Sequence, residues 1–104
     1  TLITRRVMIG VMIRDFADKE TERVFQRERG GRLARSLQRI ALRKFVLLDA
    51  ADSLEDLRIP PGNRLEKLSG NRQGQYRIRI NDQCRICFRW ETGGPCQVEI
   101  VDYH

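Results

Sequence analysis

Gln75-Tyr76-Arg77-Ile78-Arg79-Ile80-Asn81-Asp82-Gln83-Cys84-Arg85-Ile86-Cys87-Phe88-Arg89-Trp90 alternates apolar and polar side chains on either side of one interruption. Successive side chains on a strand point to opposite faces, so Tyr76, Ile78 and Ile80 share one face and Arg77 and Arg79 the other. Beyond the Asn81-Asp82-Gln83 turn, Cys84, Ile86, Phe88 and Trp90 repeat the apolar face, while Arg85, Cys87 and Arg89 repeat the polar one. Thr92-Gly93-Gly94-Pro95 supplies a second turn, after which Val98 and Ile100 alternate with Glu99, Val101 and Tyr103. The pattern predicts three antiparallel strands in a meander, Gln75–Asn81, Cys84–Trp90 and Gln97–Tyr103. Asn63 to Leu68 is expected to add a fourth, and Val11 to Phe16 an edge strand.

Upstream of Ile59-Pro60-Pro61-Gly62 the apolar period is helical. Asp18 suits an N-cap for a helix through Glu22, Val24 and Phe25, with Gly30-Gly31 as its stop. A second helix is expected from Arg32 to Ala51, with Leu33, Leu37, Ile40, Ala41, Leu47 and Leu48 forming its buried stripe. Ser53-Leu54-Glu55-Asp56 resembles the cap of a short further turn. The fold class is therefore α+β, a helical hairpin packed on one face of a twisted antiparallel sheet of about four strands. At 104 residues the chain holds one core. Residues 12–104 are read as that single domain, and residues 1–11, which precede Met12, as an N-terminal extension.

Lys and Arg total 20 against 14 Asp and Glu, and 17 of the 20 are arginine. The stretch from Arg27 to Lys44 holds seven basic residues and one acid, Glu28, which equals the chain's whole excess of +6. Arg32, Arg35, Arg39 and Arg43 fall on one helical face, where like charges repel. A planar guanidinium matches phosphate bidentately and stacks on bases, so a polyanionic partner is implied. With Arg77, Arg79, Arg85 and Arg89 on the sheet, these residues are expected to form a concave surface for a phosphate backbone. No apolar run is long enough to span a bilayer, and a soluble, cytoplasmic protein with no membrane partner is expected. Cys84, Cys87 and Cys96 are read as reduced thiols in or beside the core, and no metal or cofactor is expected.

Pro61-Gly62-Asn63-Arg64-Leu65-Glu66-Lys67-Leu68-Ser69-Gly70-Asn71-Arg72-Gln73-Gly74-Gln75-Tyr76, Arg85-Ile86-Cys87-Phe88-Arg89-Trp90 and the ending Val98-Glu99-Ile100-Val101-Asp102-Tyr103-His104 closely resemble the HigB-type toxins, or plasmid-maintenance killer proteins. The similarity begins near Met12-Ile13-Arg14-Asp15-Phe16. It implies a RelE-like microdomain acting as the toxin of a type II toxin–antitoxin system. It also implies ribosome-dependent endoribonuclease cleavage of translated mRNA. Neutralisation by a HigA-type helix-turn-helix antitoxin is implied as well, with operator DNA contacted only through the antitoxin complex. Where better-known members carry His and Lys in Leu-His-Pro-Leu-Lys-Gly, this chain has Glu66 and Ser69. The usual Asp-Gln-Trp-Arg is Asp82-Gln83-Cys84-Arg85.

A metal-independent ribonuclease that uses the RNA's own 2′-hydroxyl needs a proton acceptor, a proton donor and cations for the crowded phosphate. His104, the single histidine, is the first choice for proton transfer, with Asp102 able to orient it. Tyr103 is divided between a stacking or catalytic role and a surface anchor. Glu66 is divided between a general base and an ion-pair partner of a nearby arginine. Arg85 is assigned to transition-state charge. RNA binding is assigned to Arg64, Arg72, Arg77 and Arg79, together with Arg32, Arg35, Arg39 and Arg43 on the helix. The competing reading is a non-catalytic RNA- or ribosome-binding module that blocks translation with the same arginines.

Overall fold

The computed structural model describes residues 12–28 and 33–103. Two helices, α1 (Lys19–Phe25) and α2 (Arg35–Ala50), precede a sheet of four antiparallel strands in sequential order, β1 (Glu66–Lys67), β2 (Tyr76–Arg79), β3 (Cys84–Glu91) and β4 (Gly94–Asp102). The α+β meander expected from alternation is therefore present, with the strands shortened or extended at their ends. Of the segment 63–68 only two residues pair, because Asn63 is buried in a 3-10 turn and Arg64 follows in the left-handed region at φ 47°.

Asp18 caps α1 by accepting the Thr21 N–H at 2.7 Å, as its position suggested. The helix ends at Phe25, well before Gly30-Gly31, which lie outside the described residues. Arg27 takes φ 61°, its N–H bonds the Val24 carbonyl, and the Glu28 N–H bonds that of Arg23. This pair of bonds is a Schellman closure, here with arginine at the position glycine usually occupies. The second helix starts at Arg35, and the Gln38 side chain serves the Leu33 carbonyl at 2.7 Å.

Ala41 and Leu48 are buried as expected, but the centre of the α2 stripe is Phe45, fully buried and meeting Phe16 and Phe25 edge-on. Leu47, counted in the stripe from its spacing, is instead 36% exposed. These helix residues pack on Ile78, Ile86, Phe88 and Val98 from the sheet. Their burial supplies the main driving force, at about 1.5–3 kcal/mol for each large aliphatic or aromatic side chain. The three cysteines are free and buried.

Two irregularities shape the open edge. Cys87 pairs with Glu99 and Arg89 with Cys96, so β4 carries one extra residue there, and Gln97 stands at φ 51°. The expected edge strand reduces to one parallel bridge, Phe16 to Val98. The Asp15 carboxylate takes the Gln97 N–H at 2.5 Å within the bulge, and past it the segment continues with the Arg14 N–H bonded to the Pro95 carbonyl at 2.9 Å instead of a regular ladder. The buried Asp49 anchors the same segment by accepting the Ile13 N–H at 2.9 Å.

Because the helices cover the apolar face of the sheet, its arginine face looks the other way. Among the described residues the sheet separates the two basic rows, so the concave surface expected from them is not formed there. Among the described residues they approach each other where Arg79, at the end of β2, reaches the groove beside Arg43.

Candidate active site on the polar face of the sheet

The register assembles one transverse row across all four strands, Glu66 to Arg77 to Cys87 to Glu99. Alternation keeps this row on the polar face. Arg77 Nε lies 2.7 Å from Glu66 Oε1 and its Nη2 2.6 Å from the same oxygen. Glu66 thus occupies the ion-pair position that was one of its two readings. At the other end of the row Arg72, from the Gly70–Arg72 turn, donates to Glu99 at 3.2 Å and to Gln75 at 2.9 Å.

Tyr103 folds back over this row. Its hydroxyl lies 3.5 Å from Cys87 Sγ, and the Arg77 guanidinium carbon sits 5.0 Å from the ring centroid. The ring thus supports a cation on its face while its hydroxyl meets the fully buried thiol. Burial pushes the Cys87 thiol up, and the Tyr103 hydrogen bond only partly offsets this. Burial also raises Tyr103, and the bond to Cys87 adds to the effect while Arg77 opposes it. At neutral pH the pair is a thiol and a phenol. The Glu66 hydrogen bond holds Arg77 above the ordinary guanidinium range. For Arg72, burial works against the charge, but the Glu99 bond together with the electrostatic attraction of Cys87, Glu99 and Tyr103 outweighs it and the group stays raised.

The adjacent row is Arg79 to Arg85 to Val101. Two arginines directly opposite repel, and each is held by a separate anchor. Arg79 pairs with Asp82 across the turn, and Arg85 Nη1 donates to the carbonyls of Asn81 and Cys84. Arg89 crosses Gly74, where a Cβ would fall 2.5 Å from its Nη1 and where the backbone takes φ 92°. Glycine at this position permits the crossing.

The structure brings together Glu66, Arg72, Arg77 and Tyr103, with Arg79 and Arg85 one row away. It does not bring Asp102 to them. Asp102 is paired with Cys84, receives a 3.3 Å contact from Gln83 and lines a pocket of about 340 Å³ with Asp18 and Glu20 on the helix side. Arg64 is exposed after its turn, and Arg35, Arg39 and Arg43 lie on the outer face of α2. Arg32 and His104 lie outside the described residues. Sequence reasoning missed Cys87 and Glu99 as parts of the site. Their signal was present, since both fall at polar-face positions among arginines. Among the described residues, no cluster of His, Cys, Asp and Glu could hold a metal, and no helix is long and apolar enough to cross a membrane.

Residues 14–104 match the family described as RelE-like toxin of type II toxin-antitoxin system HigB. The chain belongs to this family. Toxin HigB-1 of Vibrio cholerae serotype O1 is 43% identical over 83 residues, covering 79% of this chain and 87% of that protein. An uncharacterized protein of Haemophilus influenzae is 35% identical over 57 residues, covering 55% of this chain and 56% of its own length. As a HigB-like toxin of a type II system, the chain has an antitoxin as its partner.

Proposed function

We propose that this HigB-like toxin is an endoribonuclease that cuts mRNA on the translating ribosome by attack of the RNA's own 2′-hydroxyl. The observation that carries the reading is the convergence of Arg72, Arg77 and a neutral Tyr103 over a buried thiol, with Arg79 and Arg85 in the neighbouring row. Arginines are donors only, so this face suits phosphate oxygens. Arg85 stabilises the five-coordinate phosphorus, while Arg72, Arg77 and Arg79 hold flanking phosphates and Arg64 adds a contact at the rim. His104 takes the 2′-hydroxyl proton as the cyclic phosphate forms. The Tyr103 phenol protonates the departing 5′-oxygen, and the imidazolium then returns a proton to Tyr103. Glu66 positions Arg77, and Asp102 anchors the end of β4 next to the terminal residues.

Binding to the ribosome is assigned to the outer face of α2, with Arg32, Arg35, Arg39 and Arg43 meeting the RNA backbone. A domain this small orients RNA poorly by itself, and positioning contributes about 7–11 kcal/mol to such reactions. A HigA-type helix-turn-helix antitoxin neutralises the toxin in the cytoplasm, and operator DNA is reached through that complex. The test compares the purified toxin on naked mRNA and on ribosome-bound mRNA, with a 2′-deoxy nucleotide at the mapped cut site. Cutting that needs both the ribosome and the 2′-hydroxyl is expected. Translation arrest with intact mRNA would instead identify a ribosome-blocking module.

A further inference from the structure

On the helix side, the C-terminal half of α2 and the Pro60–Gly62 turn bound a groove of about 640 Å³. Its walls include Ile40, Val46, Leu47 and Pro60, and its basic groups are Arg43, Lys44 and Arg79. The aliphatic part is open to solvent. Val46 is 54% exposed, Leu47 36%, and Ile59, next to Pro60, 74%. The groove is also preformed. Buried Asn63 donates to the carbonyls of Leu57 and Ile59 at 3.0 and 3.3 Å and accepts from Lys44 Nζ at 2.6 Å, fixing the turn to the helix.

We propose that this groove is the docking surface for an amphipathic acidic segment of the antitoxin, seated with apolar anchors on Val46 and Leu47 and carboxylates against Arg43 and Lys44. The proposal rests on membership of a type II toxin family and not on the ribonuclease reading. Charge complementarity selects the occupant. Among the described residues neither Arg43 nor Lys44 has a carboxylate partner, whereas Arg79 has Asp82. Burial foremost, and then the like charges of Arg43 and Arg79, hold Lys44 below its ordinary range, and an acidic occupant relieves the repulsive part of that effect. A second copy of the chain would set the same cations against themselves across a two-fold axis. RNA would leave the exposed aliphatic wall without a partner, since its backbone is read through phosphate and sugar. An amphipathic helix laid in a groove uses both features.

The experiment uses the full chain and the antitoxin expressed from the adjoining reading frame. Val46→Glu and Leu47→Glu are each expected to weaken antitoxin binding at least tenfold, and the double variant at least a hundredfold. Growth inhibition and mRNA cleavage should persist without rescue by the antitoxin. Ser36→Glu, on the same helix away from the groove, should bind within twofold of the parent. Because an introduced charge can also unfold a domain, hydrogen exchange of the unaltered complex provides the second measurement. Protection is expected at the amides of residues 43–47, Ile59 and Gly62. The double variant binding within twofold of the parent, or no protection of these residues in the complex, overturns the proposal. Loss of ribosome association with antitoxin affinity retained would assign the groove to RNA and overturn it equally.

Discussion

Arg85→Ala isolates the contribution of one oriented cation. Its Nη1 is occupied by the carbonyls of Asn81 and Cys84, the latter at 3.1 Å, so the guanidinium is oriented before any substrate arrives. Nε and Nη2 then form the remaining fork, suited to two oxygens of one phosphate. A preorganised donor of this kind is worth about 2–4 kcal/mol in the transition state. At 1.36 kcal/mol per decade, this corresponds to a loss of about 30- to 900-fold in rate. Stability should fall by only about 1 kcal/mol, the net value of an ordinary hydrogen bond, and relief of the repulsion from Arg79 works in the opposite direction. Lysine should recover little of the rate, because one ammonium cannot hold the turn carbonyls and span two phosphate oxygens. The assay is single-turnover cleavage of ribosome-bound mRNA at saturating toxin, read beside thermal unfolding and antitoxin binding. A folded Arg85→Ala variant within threefold of the parent, or full rescue by lysine, would refute the assignment.

Tyr103→Phe keeps the ring under Arg77 and removes the hydroxyl, so cleavage should fall about 10²- to 10⁴-fold with ribosome affinity unchanged. Arg35→Gln with Arg39→Gln should weaken ribosome association and make its salt dependence shallower, leaving the saturating rate intact; titrations at several salt concentrations measure both. Asp49→Ala strands the Ile13 N–H and should cost about 1–3 kcal/mol in urea unfolding. Alkaline pH should lower the melting temperature. Cys84, Cys87, Cys96 and Tyr103 are all raised by burial, so the folded chain keeps protons that the unfolded chain has lost. That stability is full below the unfolded thiol value of about 8.5 and lost as pH rises toward the folded values. Lys44, shifted the other way, opposes the trend with one group against four.

The sheet was legible because alternation survives in short strands. Ile78, Ile86 and Val98 are each fully buried where period two placed them. The ends were not legible, since they are decided by single backbone conformations. Arg27, Arg64 and Gln97 all adopt positive φ without being glycine, and each closes a helix, shortens a strand or inserts a bulge. Periodicity also misplaced Leu47. A stripe on a sixteen-residue helix contacts the core only along the arc that Phe16, Phe25 and the sheet present, and Leu47 falls at its margin. At the site, the arginines were visible as a row and Glu66 was read as an ion-pair partner of a nearby arginine, but which arginine each acid meets was not legible. Glu66 meets Arg77 and Glu99 meets Arg72 through register and through a turn, separations of 11 and 27 residues that no local pattern encodes.

The two faces place constraints on how an antitoxin could silence the toxin. The groove belongs to the helix side and Tyr103 to the opposite side of the sheet, so an occupant held by Val46 and Leu47 leaves the transverse row uncovered. On the proposed function, inhibition then acts on delivery to the ribosome. Arg43 makes this possible, because it stands both on the groove and at the end of the basic helical face. With Arg43 and Arg39 holding RNA as proposed, a carboxylate paired with Arg43 would remove one of those phosphate contacts, and the negative charge of the segment would weaken Arg39 one turn away. Arg79, at the end of β2, would carry the same effect into the sheet, because it lines the groove while its backbone sits opposite Arg85. On the two proposals together, a bound acidic segment would compete with RNA for cations, without any need to occupy the site where the phosphate would react.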